Sequence, residues 1–223
     1  MEGKFHAEER KGSKEARSHE AWDPDWIEYV YSGILQCGNG NCGEFVANSG
    51  TGGVDIDVEI DESGEPEQTW ADFFRPKYFE PPLRLIDIPK ECPDSVSSPL
   101  QESFRLFFSS PAAASNNVRV ALEALLTELG VKRFNTRSGR RIFLNLHSRI
   151  SLLPPKHSDL GELLLAIKWL GNAGSHADSI VTIDDVMDAY ELIDHVLQEL
   201  YMQKAKKAKA LAKMINKKKG PKG

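Results

Sequence analysis

Leu160-Gly-Glu-Leu-Leu-Leu-Ala-Ile-Lys-Trp-Leu-Gly-Asn-Ala-Gly-Ser-His176 is the stretch on which the fold turns. Its first eleven residues are apolar nearly all round, with Leu160, Leu163, Leu164, Ile167 and Leu170 at helical spacing. Only Glu162 and Lys168 interrupt them. A helix of that kind is expected in the middle of a bundle. It runs into small residues that carry Asn172 and His176, one helical turn apart.

Other helices are punctuated around it. Ser98-Pro99 and Ser110-Pro111 read as an N-cap followed by proline at the first helical position. They predict helices over 98–108 and 112–129, the second ending at Gly130. A further helix is expected over 141–153, with Ile142, Leu146, Ile150 and Leu153 inward and Pro154-Pro155 as its stop. Thr182-Ile-Asp-Asp185 reads as a capping box that opens a helix striped by Ile183, Val186, Tyr190, Ile193 and Leu197.

Ahead of the helices the pattern is β-like. Residues 27–37 and 43–47 flank Gly38-Asn-Gly-Asn41, a hairpin signal, and 54–60 alternate apolar and acidic residues. The fold expected is mainly α (α+β): a five-helix bundle with a small N-terminal antiparallel β-hairpin sheet. The segments expected are a disordered charged N-terminus (1–24), a small β-hairpin subdomain (25–69), a proline-rich strap (70–97), the helical bundle (98–203) and a lysine-rich tail (204–223).

Composition narrows the function. The chain has 223 residues, net charge −5 and three cysteines. No apolar run reaches the roughly 18 to 20 residues of a membrane span. The first residues lack a secretory core, so a cytoplasmic location is expected. Nine lysines and no acid stand between Lys204 and Gly223; setting them aside leaves residues 1–203 at −14. An acidic body of this kind is a poor general surface for nucleic acid, so any phosphate contact is expected at the tail, with Lys206, Lys207 and Lys209, or at a local cationic pocket. Cys37 and Cys42 at the hairpin tip look like half of a zinc ribbon. Structural zinc takes four ligands, and no second pair is present because Cys92 stands alone. The expectation is a hairpin without cofactor; zinc shared between two copies is the remaining metal option.

Four motifs then fall in one order: Pro76-Lys-Tyr-Phe-Glu-Pro-Pro-Leu83, Asn117-Val-Arg-Val-Ala-Leu-Glu123, Lys168-Trp-Leu-Gly-Asn-Ala-Gly-Ser-His176 and Asp184-Asp-Val-Met-Asp-Ala-Tyr190. Together they resemble a widespread bacterial domain family of unknown function, over about Ile27 to Tyr201. That family is similar to the HEPN superfamily of helical bundles, many of them dimeric, metal-independent RNases of defence or toxin systems. The resemblance implies a HEPN-like bundle, a homodimer, and a site in which an arginine precedes a polar residue and a histidine. Asn172 and His176 match the last two. Trp169, Leu170 and Gly171 occupy the arginine's place, and Lys168 is the nearest cation.

Two functions follow as expectations. One is a non-catalytic, dimeric interaction or RNA-associated module in a defence or mobile-element setting, with Arg119 and Glu123 as a buried pair or binding residues. The other is a metal-independent RNA endonuclease. In it His176, whose ordinary pKa is about 6.5, serves as acid or base. Asn172 orients the ring and Lys168 supplies the cation.

Overall fold

The computed structural model describes residues 4–60, 64–137, 139–173, 180–202 and 211–217. The chain divides into two compact units, residues 1–83 and 84–223.

The first unit is a four-stranded antiparallel meander, β1 (Lys4–Glu9), β2 (Glu28–Gln36), β3 (Phe45–Ile60) and β4 (Pro66–Glu80), in sequence order. Helix α1 (Lys11–Ala16) sits between the first two strands. This corrects the expected fold: helix makes up 47% and strand 27% of the structure, so it is α+β and not mainly α with a small hairpin sheet.

Three physical reasons account for the difference. Residues 4–9, expected to lack fixed structure, pair along their whole length with β2, from Lys4↔Ile34 to Glu9↔Tyr29. Glu9 anchors that strand: its carboxylate accepts hydrogen bonds from Arg17 (2.8 and 3.1 Å) and Ser13 (2.8 Å). Arg17 above all, and then Ser13, hold the carboxyl below the usual range. Second, the glycine-rich run at 48–53 is strand because small residues are required there. A Cβ on Gly50 would lie 2.2 Å from the Arg75 carbonyl oxygen and 2.9 Å from the Tyr31 ring. Third, the first part of the proline-rich segment, 70–80, belongs to β4. Pro76 lies where the β3–β4 register shifts at Ser49/Gly50, on the outermost strand, where the ladder tolerates a missing N–H. Tyr31 is buried against Phe5 and Phe74, at ring-centroid distances of 5.2 Å each, and forms the centre of the sheet's aromatic cluster.

The second unit is built from α2 (Asp94–Leu106), α3 (Pro111–Glu128), α4 (Leu146–Ile150), α5 (Gly161–Ala173) and α6 (Ile183–Leu197). The Thr182–Asp185 capping box forms as its sequence predicts, with the Thr182 hydroxyl accepting from the Asp185 N–H and the Asp185 carboxylate accepting from the Thr182 N–H. Helix α3 packs against α2, α4, α5 and α6 and is the central element. Val118, Ala121, Leu122, Leu125 and Leu126 are fully buried on it. The helix expected over 141–153 is instead a strand followed by a short helix. Strands β5 (Phe134–Arg137) and β6 (Arg140–Phe143) form a separate two-stranded ribbon, and only Leu146–Ile150 turn into α4. Gly139 at φ +73° makes the tight turn that reverses the chain there.

A buried polar thread ties three helices. Ser103 on α2 donates to the Ala114 carbonyl at 2.7 Å, so the Tyr190 hydroxyl, 2.7 Å away on α6, is the donor to Ser103. Phe104 meets the Tyr190 ring edge-on, with centroids 5.3 Å apart. Among the described residues no helix is long and apolar enough to cross a membrane.

Candidate functional site

Two of the four motifs, those of residues 117–123 and 168–176, meet where α5 crosses α3. Gly171 makes that crossing close: a Cβ there would come 2.7 Å from Arg119 Cβ and 3.4 Å from the Ser115 carbonyl oxygen. Ser115 fixes it, donating its hydroxyl to the Leu170 carbonyl at 2.8 Å. This bond takes up one of the carbonyls left free at the end of α5.

Arg119 lies under that crossing, and its guanidinium pairs with Glu123 one turn along α3 at 3.2 Å. Its Nε is buried with no hydrogen-bond partner among the described residues. Lys168 is only 7% exposed, and its ammonium sits 3.2 Å above the centre of the Trp169 indole. The attraction of a cation for an aromatic face offsets part of the cost of taking an ammonium out of water. Asn172, half-buried, is one turn beyond Lys168 on the same helix. The structure therefore sets Arg119 against the α5 end that carries Lys168 and Asn172. His176, Lys206, Lys207 and Lys209 lie outside the described residues.

Cys37 and Cys42 bracket the β2–β3 loop, and both are exposed free thiols. Among the described residues no three His, Cys, Asp or Glu side chains gather as a metal-holding group.

Arg149 was legible only as a lone side chain, yet it is 1% exposed. It reaches from α4 to the last turns of α3, donating to the Glu123 carbonyl (3.0 Å) and to the Thr127 hydroxyl (2.8 Å). Burial lowers its pKa, with the Glu123 carboxylate opposing that shift and Arg133 adding to it. The signal for it was positional, since it shares the apolar face of Leu146 and Ile150. Glu123 thus serves twice, its carboxylate for Arg119 and its carbonyl for Arg149.

Among the described residues, helix α5 is covered unevenly. Leu164, Ile167 and Gly171 are buried, Leu165 and Ala166 are half-buried, and Trp169 is 61% exposed. This corrects the expectation of a helix enclosed in a bundle.

An α+β chain with a meander unit and a helical unit, with Arg119 of α3 set against the end of α5, is the class that these features define. Residues 101–218 match the family described as Domain of unknown function (DUF4145). That is more than half of the chain, and the chain belongs to this family. Residues 1–79 match a second family, Domain of unknown function (DUF8608). No curated protein and no solved structure matches.

Proposed function

We propose that this chain is a dimeric, non-catalytic binding module in which the open side of α5 packs against a second copy. One observation carries the reading: on a helix apolar nearly all round, Trp169 is 61% exposed and Leu165 and Ala166 are only half-covered among the described residues. Large aromatics at such positions are typical anchors of an interface. A second copy is the natural cover because the same helix presents no charge on that side between Glu162 and Trp169. Lys168, held over the indole, would be shielded further by a partner.

Light scattering on the purified protein tests this. The wild type is expected at twice the chain mass and Trp169→Glu at the chain mass, with its circular dichroism unchanged. A wild type that stays at the chain mass at concentrations of tens of micromolar contradicts the reading.

A second reading is favoured by Lys168 alone. A buried ammonium one turn before Asn172, with no carboxylate in ion-pair contact among the described residues, would suit the phosphorane of a metal-independent RNA cleavage in which His176 moves the proton. Incubation with tRNA in EDTA separates the two. Cyclic-phosphate ends lost in His176→Ala support the nuclease, and intact RNA supports the module.

A further inference from the structure

From Leu129 to Ser158 the chain has no aspartate or glutamate and seven cations: Lys132, Arg133, Arg137, Arg140, Arg141, Arg149 and Lys156. Five of them fall within the ten residues 132–141, in a chain whose net charge is −5. This concentration coincides with the β5–β6 ribbon. Every residue of β6 is exposed, as are Lys132 and Arg133 at the ribbon's base.

Register sorts the side chains. Phe134 faces Phe143 and Thr136 faces Arg141 across the two strands, which places these four on one face. Arg140 alternates to the other. Phe134 and Phe143 meet edge-on with centroids 5.5 Å apart, and the Arg141 guanidinium carbon lies 3.7 Å over the Phe134 ring. That stack holds the guanidinium carbon over the Phe134 ring. Phe143 is 53% exposed, although it pairs with Phe134.

We propose that the β5–β6 ribbon is a binding site for single-stranded nucleic acid. Planar guanidinium groups match phosphate oxygens two at a time, and four of the five clustered cations are arginines. An exposed aromatic beside them offers a face on which an unpaired base stacks. A duplex keeps its base faces stacked internally and would gain only the charge term. The acidic remainder of the chain confines the polyanion to this ribbon and to the lysine tail. The site is independent of the pairing of α5, and Trp169→Glu is expected to leave it in place.

Fluorescence anisotropy with labelled oligouridylate and oligothymidylate of about 20 nucleotides, and with a duplex of the same length, tests the site in the full chain. With about three phosphates contacted on a single strand, log affinity should fall with log salt at a slope near −2, or about 15-fold between 50 and 200 mM. Lys132→Ala with Arg140→Ala leaves the Phe134–Arg141 stack untouched. This variant is expected to bind about tenfold more weakly and to flatten the slope by more than one unit. Phe143→Ala should weaken single strands at least about fivefold without changing the slope. The proposal is overturned if the wild type does not bind at about 50 mM salt. It is also overturned if the Lys132/Arg140 variant binds as the wild type does, or if Lys206→Ala, Lys207→Ala and Lys209→Ala together remove all binding.

Discussion

Replacing Gly171 by alanine sets two effects of opposite sign against each other. Glycine inside a helix is less favourable than alanine by about 1 kcal/mol, so propensity alone predicts a stabler protein. The added methyl would lie 2.7 Å from Arg119 Cβ, the root of a side chain that cannot swing away. Restoring ordinary contact requires α3 and α5 to part by about 1 Å, given carbon contacts near 3.5 to 4 Å. The Ser115–Leu170 hydrogen bond, now 2.8 Å, would then stretch past the limit at which it counts. Overpacking of this kind costs about 1 to 3 kcal/mol, and the lost bond about 1 kcal/mol more. Net of the propensity gain, Gly171→Ala should lose about 1 to 3 kcal/mol. Urea unfolding followed by helical circular dichroism reads this as a lower midpoint at unchanged slope. A midpoint equal to or above the wild type's would show that the two helices do not touch at Gly171.

Other consequences can be checked in the same way. Arg149→Ala should destabilise by several kcal/mol, because it opens a cavity and removes the guanidinium's two hydrogen bonds to the end of α3, although the Thr127 hydroxyl still donates to the Glu123 carbonyl; Arg149→Met, which keeps the volume, should cost less. Ser103→Ala leaves the buried Tyr190 hydroxyl unpaired and should cost about 1 to 3 kcal/mol, more than Tyr190→Phe, which leaves Ser103 bonded to Ala114. Burial, followed by Asp94 and Glu128, pushes the Cys92 thiol up to about 11, and burial first pushes the Tyr201 phenol up to about 12. Each stays protonated in the fold at pH values where the unfolded chain ionises. Stability should therefore fall as pH rises from about 9 through 12, with Cys92→Ser weakening the first part of that fall. A thiol reagent at pH 8 should label Cys37 and Cys42 at once and Cys92 only on unfolding.

Sequence reading recovered what local chemistry dictates. The Thr182–Asp185 box, the start of α3 at Pro111, the β2–β3 hairpin and the Arg119–Glu123 pair all follow from residues within a turn or two of each other. It missed what depends on distant partners. Residues 4–9 have no apolar period and are strand because β2 offers them a ladder and Arg17 and Ser13 hold Glu9. Gly50, Gly52 and Gly53 look like loop residues until the rings lying over them are known. Ile142, Leu146, Ile150 and Leu153 fit a helix by spacing, yet Gly139 and the Phe134–Phe143 pair fold the first of them into a ribbon. The proposed nucleic-acid ribbon went unread for that reason, although its five cations stood in plain sequence. At the helix crossing, the identities of Lys168 and Asn172 were legible. The burial of Lys168 and its seat over Trp169 were not, because they depend on which side of α5 its own chain covers.

The pairing of α5 with its copy is the claim most directly open to measurement. Ala166→Cys, made with Cys37→Ser and Cys42→Ser, puts a thiol on the half-covered side of the helix one turn before Trp169. Two such thiols facing each other across a symmetric contact lie within reach of a disulfide if their Cα atoms come within about 7 Å. The account predicts that mild oxidation yields a covalent dimer on a non-reducing gel, and that adding Trp169→Glu abolishes it. A protein that stays entirely monomeric after oxidation, with its Ala166→Cys thiol free to every reagent, would contradict it.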